Sequence, residues 1–178
     1  MRLSVPSLLT LAATLTASAL AGGVGGAVLP ADSLFQPGQT WRVTGRGSAG
    51  QPVSYSLSLG RAAASSRDHW SFAAGQGTLS YQPALGMALA VNVDPALFFV
   101  AARPYDYTVP VLLCLGLPDG KGLRGILISA RSNAELQAQN SLIPASAVQH
   151  PPKTPDELLS AARTWGLKSG SCTIKRLK

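Results

Sequence analysis

Val53-Ser54-Tyr55-Ser56-Leu57-Ser58-Leu59 alternates apolar residues with serine at every step. A period of two sends successive side chains to opposite faces of a β-strand. Val53, Tyr55, Leu57 and Leu59 therefore form a face to be buried, and the three serines a face left to water. No helix would keep those two sets apart, because its period of 3.6 would mix them.

The same alternation recurs on both sides of this stretch. Trp41 and Val43 alternate with Arg42 and Thr44, and Trp70 and Phe72 with His69 and Ser71. Leu79 and Tyr81 flank Ser80, while Met87, Leu89, Val91 and Val93 oppose Ala88, Ala90 and Asn92. Leu97-Phe98-Phe99-Val100 and Val111-Leu112-Leu113-Cys114-Leu115 are apolar on both faces, which suits strands covered on both sides. Leu123 to Ser129 completes the set. Gly- and Pro-rich turn signals separate these runs at the spacing of an all-β sandwich or barrel. The expected fold is all-β and mainly antiparallel, a small meander barrel or sandwich of about eight strands.

After Arg131 the pattern changes. Ala134 to Gln139 reads equally as a helical turn or an edge strand. Thr154-Pro155-Asp156-Glu157 is a helix start, with threonine as cap, proline in the first turn and glutamate three residues on. Leu158, Ala162 and Trp165 share one face of a helix expected over about 155–165, and Gly166 ends it. Ser171 to Leu177 is expected to be a short last strand carrying Cys172.

The chain opens as an export signal. Met1-Arg2 is a positive start, residues 3–20 carry no charge, and Ala19-Leu20-Ala21 offers small residues to a signal peptidase. Gly23 stands where a lipoprotein signal would need cysteine, so no lipid anchor is expected. The expected division is a signal peptide at 1–21, a flexible leader at 22–38 and one β-rich domain at 39–178, placed outside the cytoplasm. In an oxidising compartment the two cysteines, Cys114 and Cys172, are expected to form one disulfide that pins the end of the chain to the β body.

Pro37-Gly38-Gln39-Thr40-Trp41, at the first strand, resembles with one extra residue the Gly-x-Trp element of lipocalin-like barrels. The meander of strands, the late helix and the C-terminal cysteine resemble them too. The resemblance implies a barrel shape, and shape alone carries no activity.

Catalytic equipment is sparse: two histidines and eight acidic residues in 178. His69 is expected on a strand surface and His150 in a loop before Pro151-Pro152. No serine lies in a nucleophile elbow. Asp68, Asp94, Asp106 and Asp119 each sit beside a turn, where aspartate serves the backbone. No metal-ligand spacing, phosphate loop or dinucleotide fingerprint appears, so neither a metal nor a cofactor is implied.

Two features suggest binding instead. Trp41, Tyr55, Trp70, Phe72 and Met87 are expected to point inward and either line a cavity for a small apolar ligand or fill it. Arg103-Pro104-Tyr105-Asp106-Tyr107 puts Arg103, Tyr105 and Tyr107, residue types that dominate recognition surfaces, in one loop. The net charge of +7 is spread over scattered arginines, except for Lys168 and the run Lys175-Arg176-Leu177-Lys178. That tail suits an anionic envelope polymer, and the absence of interleaved aromatics argues against nucleic acid. The expected function is a non-catalytic exported binding module for a small apolar ligand or an envelope partner. The alternatives are a secreted hydrolase with an unflagged Asp/His site and an envelope-associated structural or interaction protein.

Overall fold

The computed structural model describes residues 28–66, 69–75, 77–82, 87–92 and 111–178. Among the described residues seven strands precede the helical segment: β1 (Thr40–Arg46), β2 (Pro52–Ser66), β3 (His69–Ala74), β4 (Gly77–Gln82), β5 (Met87–Asn92), β6 (Val111–Asp119) and β7 (Gly122–Ala130). Three helices follow, α1 (Asn133–Asn140), α2 (Ser146–Gln149) and α3 (Pro155–Thr164), and then β8 (Ser169–Arg176). Each strand pairs antiparallel with the next, and β8 pairs with β1. The sheet is thus a closed eight-stranded meander barrel, which decides between barrel and sandwich and leaves no free edge. The strand expected over 97–100 lies outside the described residues.

The alternation that predicts β2 is realised. Leu57 and Leu59 are buried in the barrel core, Val53 and Tyr55 pack against it, and Ser54, Ser56 and Ser58 are exposed. β2 runs further than the alternation does. Its pairing with β3 shifts register between Leu59 and Ala62 and again between Ala64 and Ser66. A bulge adds a residue and reverses the phase, so Ala62, an even position, joins the core that odd positions supplied before it.

β6 and β7 are apolar on both faces because both faces are covered. Cys114, Leu123 and Leu127 point into the barrel, while Leu113, Leu117, Ile126 and Ile128 pack outside against Leu158, Ala162 and Leu167. Helix α3 begins as its sequence requires. The Thr154 hydroxyl accepts from the Glu157 N–H at 3.2 Å, Pro155 occupies the first turn, and Gly166 closes the C-terminal end at a φ of +73°. The ambiguous stretch after Arg131 is helix α1, capped in the same way by Ser132, whose hydroxyl accepts from Glu135 N–H at 3.1 Å.

The basic C-terminal run is no loose tail. Lys175 and Arg176 end β8, which closes the barrel against β1 and β7. Cys172 of that strand is bonded to Cys114 of β6. Among the described residues no helix is long and apolar enough to cross a membrane.

Candidate functional site

Residues 28–38, grouped with the leader on sequence, lie against one end of the barrel. Phe35 is wholly buried there, its ring 4.5 Å from that of Trp41, 4.9 Å from Tyr81 and 6.4 Å from Phe72. Trp41 starts β1 and Tyr81 ends β4, which in a meander puts both at the same end. Gln39 fastens this closure: its Oε1 accepts from Trp41 Nε1 at 2.8 Å and from the Gln36 backbone N–H at 3.0 Å. Gln36 in turn donates to the carbonyls of Pro30 and Ala31. These bonds brace the plug while Phe35 enters the core, and the buried Ser33 hydroxyl is left without a partner among the described residues.

Of the residues expected to point inward, Trp41 and Phe72 are in this closed end and fill it. Both have 0 % of their surface exposed, as do Phe35, Val43, Leu79, Ala88, Ala90, Leu127 and Ile174. Side chains with no surface open to a water-sized sphere, inside or outside, are close-packed. β5 needs a correction: its inward face is Ala88 and Ala90, and Leu89 packs outside with the helical layer. The side chain of Met87 lies outside the described residues, as do Arg103, Tyr105 and Tyr107 altogether.

Tyr55 and Trp70 differ from the rest of the interior. The Tyr55 hydroxyl and the Trp70 indole N–H are buried with no hydrogen-bond partner among the described residues. Tyr55 stands opposite Val43, midway along β1, and burial raises its phenol well above the usual tyrosine range. Trp70 stands between Ala64 and Tyr81, nearer the plugged end. Burial also raises the Tyr81 phenol, with the Asp32 carboxylate adding to it.

His69 is a second correction. It alternates outward on β3 but is buried at 5 % exposure, as is Ser80 on the same outer face at 7 %. Burial lowers its imidazole below the ordinary value of 6.5. His150 is exposed, as expected of a loop position. Asp119 and Asp156 converge on one arginine: Arg124 lies 3.0 Å from Asp119 and 2.8 Å from Asp156. The hydrogen bond from Arg124, and then its charge, hold the Asp156 carboxyl below its usual range. These acids are occupied in an external ion-pair network. Among the described residues no group of three or more His, Cys, Asp or Glu is placed to hold a metal.

The outer face of β8, β1 and β2 is a second surface, and it carries Lys175 of the basic run that suits an anionic polymer on sequence. Lys175, Arg42 and Ser56 lie in register across it, then Thr173, Thr44 and Ser54, then Ser171, Arg46 and Pro52. Thr44 and Thr173 join their hydroxyls at 2.8 Å. Arg42, Arg46, Ser54, Ser56, Ser171 and Lys175 are exposed. None of the three strands contains an aspartate or glutamate. The in-register pairing of Arg42 with Lys175, two cations, was the available sequence signal, but it needs the β1–β8 closure to be seen.

Comparison with known proteins gives no correspondence: no family model, no curated protein and no solved structure matches the chain.

Proposed function

We propose that this is an exported, non-catalytic interaction domain whose packed barrel is a rigid scaffold and whose exposed β8–β1–β2 face engages an envelope partner. The observation that carries this reading is the contrast between the two surfaces. The interior side chains are close-packed around Phe35 and Trp41, while the outer face presents cations and hydroxyls with no acid of its own strands to pair them. The polar outer residues of β1, β2 and β8 also differ from the apolar band of a membrane-spanning barrel. Export is supported by the N-terminal pattern and by a disulfide, which persists in oxidising compartments.

Fractionation of producing cells tests the reading. The protein should sediment with the envelope, and a variant carrying Arg42→Ser and Lys175→Ser should be released into the soluble extracytoplasmic fraction. Equal retention of both proteins would overturn it.

A second reading rests on Tyr55 and Trp70. Two buried donors without acceptors are costly, at about 1–3 kcal/mol each, and a small apolar ligand carrying an acceptor would satisfy them. It requires the interior to open. Native mass spectrometry of the secreted protein checks it, since a bound molecule would add its mass.

A further inference from the structure

We propose that the β8–β1–β2 face docks an acidic polysaccharide, Arg42 and Lys175 meeting its anionic groups and the serine and threonine rows its hydroxyls. This rests on the reading that the face is the working surface and names the chemistry of its partner.

Charge comes first. Arg42 on β1 lies directly opposite Lys175 on β8. Like charges facing each other across a strand pair destabilise a sheet, and opposite charges at the same spacing stabilise it. Neither cation forms an ion pair with a described residue, whereas Arg124 on the neighbouring strand β7 is held between Asp119 and Asp156. An external anion lying between Arg42 and Lys175 turns their repulsion into two attractions. Arg46, four residues further along β1, gives one N–H to the Gly50 carbonyl at 3.2 Å and keeps its charge.

The neutral residues then select the polymer. Ser54, Ser56, Ser171, Thr44 and Thr173 are hydroxyls able both to donate and to accept, as sugar hydroxyls require of a partner. The described exposed positions of this face between rows 42 and 46 include no aromatic ring, so there is no platform on which nucleobases could stack. They include no large apolar anchor of the kind that dominates protein–protein contacts. Rows lie roughly 4.8 Å apart across the strands and about 7 Å apart along them, a flat lattice that suits a repeating, hydrophilic chain.

The test measures binding of the purified full-length protein to dextran sulfate and polygalacturonate, with neutral dextran and oligo-deoxythymidine alongside. The comparison is between the wild type, R42S/K175S, and R131S/R163S, which removes the same charge from the helical side. Both acidic polysaccharides should bind at low salt, and neutral dextran should not. R42S/K175S should bind about tenfold more weakly, the sum of two exposed charge contacts. Its slope of log affinity against log salt should fall by about two. R131S/R163S should stay within about twofold of wild type, as expected for charges outside the contact. Relief of the repulsion means that the melting temperature of R42S/K175S should not drop. Equal loss in both double variants, tighter binding of the deoxythymidine strand, or no binding to either acidic polysaccharide would overturn the proposal. If polysaccharide binding fails while envelope retention still needs Arg42 and Lys175, the partner chemistry is wrong and the face stands. If retention is indifferent to both residues, the face itself is wrong.

Discussion

Cys114 and Cys172 have Cα atoms 6.1 Å apart although strand β7 runs between the strands that carry them. In a flat sheet, strands two apart are separated by roughly 9.6 Å, so the wall folds inward over β7 at this point. The register shows why it can. Cys172 lies between Gly45 of β1 and Gly125 of β7, and Gly125 in turn lies opposite Gly116 of β6. The bridge crosses the interior face of β7 between Leu127, opposite Cys114, and Gly125, opposite Cys172, and at Gly125 there is no side chain in its way. Replacing Cys172 with serine removes a crosslink spanning 58 residues of sequence, and should cost about 2–5 kcal/mol. Urea unfolding with and without reductant measures it. Both sulfurs are buried, so thiols should become titratable under reductant only once denaturant opens the barrel.

The glycine seam gives a sharper prediction than the crosslink. A Cβ on Gly125 would collide with the backbone carbonyl of Leu115, and one on Gly45 with that of Ser171. Neither obstacle is a flexible side chain, so the strands themselves would have to part. Gly125→Ala should cost several kcal/mol, above the ~1 kcal/mol typical of a point substitution. Gly120→Ala is the contrast: its φ is +61° but nothing lies within 4 Å, so only local backbone strain opposes it, about 1 kcal/mol. Chemical denaturation midpoints of the two variants should separate clearly.

The helical layer and the plug each depend on one buried side chain. Leu158→Ala should cost about 2–5 kcal/mol, because Leu158 lies in the outer cluster at 1 % exposure. Thr154→Ala removes only the cap, about 1 kcal/mol. Phe35→Ala should cost about 3–5 kcal/mol and change the emission of Trp41, whose indole it touches. A Trp41 spectrum unchanged by Phe35→Ala would contradict the plug.

His69 predicts an acid limb to stability. Its folded pKa is lowered by burial, so between that value and about 6.5 the unfolded chain binds a proton that the folded one does not. Stability is therefore at its full value above about pH 6.5 and declines as pH falls below it. His69→Gln should flatten that decline. Tyr55 acts at the other extreme: burial keeps its phenol protonated, so stability falls once pH rises above about 10, where the unfolded chain ionises. Absorbance at 295 nm against pH, followed beside circular dichroism, should show Tyr55 ionising only as the barrel unfolds, and Tyr55→Phe should shift that transition upward.

The strands were legible where one face is core and the other water, as in β1 and β2 up to Leu59. The fold class followed from that pattern, and the Cys114–Cys172 link from two cysteines in a chain that opens like an export signal. Legibility failed where the period is interrupted. The bulges after Leu59 reverse the phase of β2, and the small Ala88 and Ala90 hide the inward face of β5 behind a larger apolar face that packs on helices. Helix α1 carried a readable signal, Ser132 followed three residues later by Glu135, which its weakly apolar sequence obscured. The cationic face was only half legible, since the basic run at Lys175 stood out but its partner Arg42 did not. Arg42 and Lys175 are far apart in sequence, and only closure of β8 on β1 makes them neighbours. Phe35 likewise had no period to announce it, since its burial comes from a loop crossing the barrel end.

The most direct test of the working surface is a chemical-shift map of the 15N-labelled protein titrated with the acidic polymer that sediments with its envelope. Shifts are expected at the amides of Arg42, Thr44, Ser54, Ser56, Thr173 and Lys175, with the indole signals of Trp41 and Trp70 unmoved. Movement of the Trp70 indole with a silent β8–β1–β2 face would contradict it and return the function to the interior.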